Sequence, residues 1–123
     1  MSGNLQQTII TAIEDLKGQD LKVLDVTELS DVMDNLVIVT GTSNRHVKSV
    51  ANNVIEECKK QGLQAIGVEG MEAGEWVLVD YGDTVVHVML QATRDFYGLE
   101  KLWYMEPAGR KKNQSGSGSS EQE

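Results

Sequence analysis

The chain has 123 residues, 40% of them hydrophobic, and a formal net charge of −8 at neutral pH. That is enough apolar sequence for one packed core, which excludes general disorder, and no apolar run approaches the roughly 20 residues that cross a bilayer. The charges beyond Met105 (Glu106, Arg110, Lys111, Lys112, Glu121 and Glu123) cancel, so the acidic excess sits on residues 1–105. Such a body repels nucleic-acid phosphates and is steered toward a basic partner, so direct DNA binding is not expected. Met1-Ser2-Gly3-Asn4 lacks a basic patch followed by an apolar stretch, and Cys58 has no second cysteine to pair with. No secretory leader, membrane segment or internal disulfide is therefore expected, which predicts a cytoplasmic protein.

Leu5, Ile9, Ala12, Ile13 and Leu16 recur at helical spacing, with Gly18 as the stop. Leu21–Val26 reads as a short strand, followed by a polar connection containing Glu28, Ser30, Asp31 and Asp34. The continuous apolar run Leu36–Thr40 predicts a strand covered on both faces. The clearest helix carries Val47, Val50, Ala51, Val54, Ile55 and Cys58 on one stripe, capped by Ser43 and ended near Lys59, Lys60 and Gly62. A strand near Gln64 to Val68 follows, and as the second half of a strand–helix–strand unit it should run parallel to 36–40. Residues 69–74 read as a flexible acidic loop, 75–80 and 83–90 as a hairpin. Ala92, Phe96, Leu99 and Trp103 suggest a last helix weakened by Gly98, and residues 106–123 a disordered Gly/Ser-rich tail beyond a single domain at 1–105. The order of elements implies an α/β domain: a mixed sheet with flanking helices.

Gly41-Thr42-Ser43-Asn44-Arg45-His46 lies between a buried strand and a helix N-terminus, where free amides favour an anion. It lacks the glycine and lysine spacing of known phosphate loops, so a capped helix start is the plainer reading and a nucleotide-binding or nucleotidyl-transferring enzyme the alternative. Ser43 and His46 have no evident orienting acid, which argues against a catalytic pair. His46 and His87 have no Cys or His at ligand spacing, and no Asp-x-Asp pair occurs, so no metal or cofactor is expected.

The hairpin is the sharpest object. A Tyr81-Gly82 turn would set Asp80 opposite Asp83, Leu78 opposite Val85 and Trp76 opposite His87. Alternation then gives one face of Val77, Val79, Thr84, Val86 and Val88, which must be core. The other face holds Trp76, Asp80, His87 and Met89. It is either covered by a helix, with His87 a satisfied core histidine, or an interface rimmed by Glu69, Glu72 and Glu75 for a basic protein surface.

Gly41–Val47, Gly67-Val68-Glu69-Gly70, Trp76–Asp83, Val85-Val86-His87-Val88 and Leu99-Glu100-Lys101-Leu102-Trp103 together resemble the ribosomal silencing factor (Iojap-like) family over about residues 5–104. The resemblance implies a nucleotidyltransferase-like α/β fold without enzymatic activity. It implies binding to the large ribosomal subunit through ribosomal protein number fourteen, steric prevention of subunit joining, and repression of translation under nutrient limitation. On this chain the partner-binding residues it implies are Trp76, Asp80, Tyr81, His87 and Met89. A homodimer using the same face would compete with that partner.

Overall fold

The computed structural model describes residues 2–98, and the expected tail at 106–123, like Leu99 and Trp103, lies outside them. Among the described residues the order is α1 (Ser2–Asp15), β1 (Gln19–Asp25), β2 (Asn35–Gly41), α2 (Asn44–Lys60), β3 (Gly67–Glu69), β4 (Trp76–Asp80), β5 (Thr84–Leu90) and α3 (Gln91–Tyr97). The strands form one mixed sheet in the order β1-β2-β5-β4-β3.

Helix α2 has the amphipathic stripe that its spacing predicts: Val47, Val50, Ala51, Val54 and Cys58 are buried, and Ile55 is half-buried at the edge. The Ser43 hydroxyl accepts the His46 amide at 3.1 Å, and the first turn is capped. Helices α1 and α2 pack on one sheet face against Val37, Val39, Val77, Val79, Val86 and Val88. β2 is covered on both faces, because Leu36 and Ile38 point the other way, into a second cluster with Val26 and Met89. Among the described residues, neither α1 nor α2 lies over that second cluster; Leu24, Met33, Trp76 and Val85 supply part of its cover.

β2 and β3 run in the same direction, yet they are not neighbours. β2 pairs in parallel with β5, and β3 sits at the far edge beyond β4. The crossover through α2 thus spans two intervening strands that arrive later in the chain.

The hairpin register differs from the expected one. Asp80 pairs with Val85, Leu78 with His87 and Trp76 with Met89. Tyr81 N–H donates to the Thr84 carbonyl at 2.9 Å, so the two-residue turn is Gly82-Asp83. The cause is backbone sterics: the tight hairpin turn places its first central residue at positive φ, and Gly82 takes φ +95, a value costly for Tyr81. The slip is two places in the pairing, an even number, so each side chain keeps the face expected of it. Asp80 and Asp83 do not oppose each other, and the like-charge conflict is absent. Asp80 Oδ1 instead accepts Gly82 N–H at 2.7 Å.

Two further expectations change. Residues 69–74 are tied down, by Gly74 N–H to the Gly70 carbonyl at 3.1 Å and by Asn44 Nδ2 to the Ala73 carbonyl at 2.9 Å. In α3 the described part of the expected apolar stripe is exposed, Ala92 and Phe96 alike, with Phe96 80% exposed, and the buried residue is Arg94. Arg94 Nη1 donates to the Asp20 carbonyl and to Thr40 Oγ1, both at 2.8 Å, and Nη2 lies 3.7 Å from the Asp20 carboxylate. This side chain ties α3 to β1 and β2. Arg94→Met is expected to lower unfolding free energy by about 2–3 kcal/mol, since it strips the donor from buried Thr40. A urea midpoint within error of wild type would contradict that role.

Candidate functional site: the open face of the hairpin

β4 and β5 turn Trp76, Leu78, Asp80, Val85 and His87 toward the sheet face that α1 and α2 leave uncovered. Period-two alternation does this, because the intervening valines are spent on the helical core. Trp76 is half-buried, packs against the exposed Tyr97 ring in a tilted arrangement at a centroid distance of 4.8 Å, and donates its indole N–H to His87 Nδ1 at 2.9 Å. An indole nitrogen only donates, so His87 Nδ1 must accept, and the imidazole proton sits on Nε2.

His87 is 6% exposed, and burial pushes its pKa from the ordinary 6.5 down to about 4. Unfolded chains take up this proton between about pH 6.5 and 4 while the native state refuses it. Stability is therefore full above pH 6.5 and falls by up to about 3 kcal/mol on acidification toward pH 4. The expected result is that His87→Gln, which still offers Trp76 an acceptor but carries no titrating group, shows a flatter loss of stability across this window. Parallel curves of urea midpoint against pH for the two proteins would contradict it.

Beside His87, the Val32, Met33, Leu36, Leu78 and Val85 side chains line a groove of about 420 Å³ with Asp80 and Gly82 at its edge. Val32 is 82% exposed. These loop residues escaped the sequence reading, which took 27–34 as a polar connection; the signal present was the Val32-Met33 pair amid acidic neighbours. The loop is fastened to the hairpin, with the amides of Asp34 and Asn35 both donating to the Asp83 carbonyl, at 2.7 and 3.0 Å.

Of the five residues expected on the partner surface, the structure brings Trp76, Asp80 and His87 together on this face. Met89 shares the face but is fully buried in the second cluster, beneath Trp76, and offers no area for contact. Tyr81 is on the opposite side, packed on the helical core with its hydroxyl buried beside the Cys58 thiol. Burial raises the Tyr81 phenol well above its ordinary value, and it raises the Cys58 thiol as well. Tyr81 therefore anchors the turn from behind and does not contribute to the open face.

In and beside the Gly41–Arg45 loop, Thr42, Ser43 and His46 have used their polar groups internally. His46 Nδ1 accepts Thr42 N–H at 2.8 Å, and its Nε2 donates to the Leu16 carbonyl at 2.7 Å. Both ring nitrogens are thereby engaged, and Ser43 and His46 form no side-chain pair, since the Ser43 hydroxyl serves as the helix cap. A Cβ on Gly41 would stand 2.9 Å from the Val47 amide nitrogen, so this glycine serves close packing against α2. Among the described residues no three His, Cys, Asp or Glu side chains cluster as metal ligands, and no helix is long and apolar enough to cross a membrane.

Comparison with known proteins agrees with the motif pattern. Residues 2–123 match the family model described as ribosomal silencing factor during starvation. The chain belongs to the ribosomal silencing factor family. It is 48% identical over 99 residues to the ribosomal silencing factor of Chromobacterium violaceum, covering 80% of this chain and 81% of that protein. It is 32% identical to the mouse protein named mitochondrial assembly of ribosomal large subunit protein 1, over 77% of this chain and 43% of the mouse chain. A crystal structure of a Chromobacterium violaceum protein superposes with a TM-score of 0.81 at 46% identity, covering 85% of this chain and 88% of that one. Another, from Bacillus halodurans, gives 0.75 at 35% identity, covering 82% and 94%. Both support the mixed α/β sheet described above.

Proposed function

We propose that this silencing factor is a cytoplasmic, non-enzymatic protein that binds the large ribosomal subunit through ribosomal protein number fourteen. Seated there it blocks the small subunit from joining and represses translation when nutrients are limiting. The observation that carries this reading is the open hairpin face: a half-buried tryptophan, braced by His87 and Tyr97, on a sheet surface whose neighbouring charges are acidic. Large aromatics in such settings supply the centre of protein–protein contacts, and acidic surroundings favour a basic ribosomal protein. Asp80 steers and orients, while His87 and buried Met89 hold the indole in place. The mouse relative's name, which refers to the large ribosomal subunit, points the same way. The nucleotide-binding alternative at Gly41–Arg45 is weaker, because Thr42, Ser43 and the neighbouring His46 are engaged with one another and with the Leu16 carbonyl.

Subunit joining tests the proposal. Light scattering from mixed large and small subunits should show suppressed association when the protein is added first to the large subunit. Undiminished association at saturating protein would overturn the steric reading.

A further inference from the structure

Helix α3 is held to the sheet by polar bonds more than by apolar burial. Its buried residue is Arg94, while Ala92, Phe96 and Tyr97 are all exposed. The fastening therefore falls largely to one guanidinium.

The row of residues beneath the helix explains what those bonds position. Thr40 on β2 pairs with Met89 on β5, and Met89 pairs with Trp76 on β4, so the three stand side by side on one sheet face. Arg94 reaches the Thr40 end of this row: its Nη1 donates to Thr40 Oγ1 and to the Asp20 carbonyl, both at 2.8 Å. Asp20 takes φ +52 where the β1–β2 pairing breaks register, so a strained residue supplies one half of this clasp. Tyr97 lies one helical turn beyond Arg94, on the same face of α3, and reaches the Trp76 end of the row. Met89, between the two ends, is fully buried.

Trp76 is thus braced twice, by His87 at its indole N–H and by the Tyr97 ring. Tyr97 is 57% exposed and has little packing of its own. Its edge-on neighbour Phe96, at 4.9 Å, belongs to the same helix and stands in solvent, so it gives no purchase on the sheet. The place of Tyr97 against the indole therefore depends on how α3 is seated.

We propose that Thr40 and Arg94 are positioning residues for subunit binding: their clasp seats α3 so that Tyr97 holds the Trp76 indole in its binding orientation. This inference rests on the large-subunit binding proposed above and adds to it two residues that touch no partner, both being buried. It puts control of the indole on β2, two strands away from β4.

The test uses Thr40→Val, which removes the hydroxyl acceptor and keeps a β-branched side chain suited to the strand. Large-subunit affinity is measured by co-sedimentation at a temperature where circular dichroism shows each variant folded. It should fall about 5-fold in Thr40→Val and stay within about 2-fold of wild type in Thr40→Ser, which keeps the hydroxyl. In a Tyr97→Ala background the same Thr40→Val change should alter affinity by less than about 1.5-fold, because the tyrosine through which it acts is gone. The Trp76 indole N–H resonance of the free protein should move in the same direction in Thr40→Val and Tyr97→Ala, and keep its place in Thr40→Ser. Arg94→Lys, which keeps the charge but not the fork that spans two acceptors, repeats the comparison if Thr40→Val does not fold. No binding of wild type to large subunits would remove the proposed function and this inference with it. Wild-type binding with undiminished affinity in folded Thr40→Val, or losses in Thr40→Val and Tyr97→Ala that multiply in the double variant, would overturn the clasp alone.

Discussion

Replacing Trp76 with alanine is expected to weaken large-subunit binding by about 30-fold or more, equivalent to about 2 kcal/mol at the centre of an interface. Two losses combine. The indole's exposed area goes, and His87 Nδ1 loses its donor, which frees the ring that lines the groove. The valine core of the opposite face is untouched, so the sheet should remain folded with a reduced melting temperature. Trp76→Phe separates the contributions: it keeps a ring against Tyr97 and Met89 but has no N–H for His87. Its affinity should fall between wild type and the alanine variant. Wild-type affinity in a folded Trp76→Ala protein would remove this residue from the interface.

Gly70→Ala should be among the most damaging single-methyl changes in the chain. Gly70 lies at φ +84, and a Cβ there would stand 2.1 Å from the Trp76 carbonyl oxygen, a backbone atom that cannot swing aside. Left-handed backbone costs an alanine about 1–2 kcal/mol by itself. Displacing the start of β4 adds to that, so a loss of about 3 kcal/mol or more is expected. The melting temperature should drop by roughly 12 °C or more for a domain of this size. Gly62→Ala supplies the comparison, because Gly62 has φ +79 but nothing within 4 Å of its would-be Cβ. It should cost only about 1 kcal/mol. Because the Gly70 clash pushes on Trp76 itself, the Gly70 variant should lose subunit binding disproportionately. Equal effects of the two substitutions would show that close approach to β4 does not matter.

The contrast between valine and everything else made the site legible. Val77, Val79, Val86 and Val88 declare one face of the hairpin as core whatever the register, and the odd residues Trp76 and His87 then declare the other. A register error of two pairs left this conclusion intact, where an error of one would have reversed it. The turn itself was misplaced because Tyr81-Gly82 and Gly82-Asp83 both look like turns, and only the demand for positive φ at the first central residue separates them. With the turn moved, Tyr81 joins the helical core, a placement the motif resemblance did not carry.

Other features depend on contacts that sequence spacing does not encode. Arg94 is buried because its guanidinium finds Asp20 and Thr40, residues 74 and 54 positions away. Helical periodicity predicted instead that Phe96 would face inward, and it stands exposed. Val32 and Met33 lie in a connection whose composition reads as solvent-facing, and they join the groove only because the Asp83 carbonyl holds the loop against the hairpin. His46 looked like a candidate base or ligand, but its two nitrogens close the loop between Thr42 and Leu16.

The most direct test of the central claim is co-sedimentation of the purified protein with isolated large and small ribosomal subunits at several salt concentrations. The acidic, tryptophan-centred face predicts binding to large subunits alone, weakening as salt screens Asp80 and its neighbours. Equal binding to both subunits, or none to either, would contradict an account in which this hairpin face acts on the large subunit.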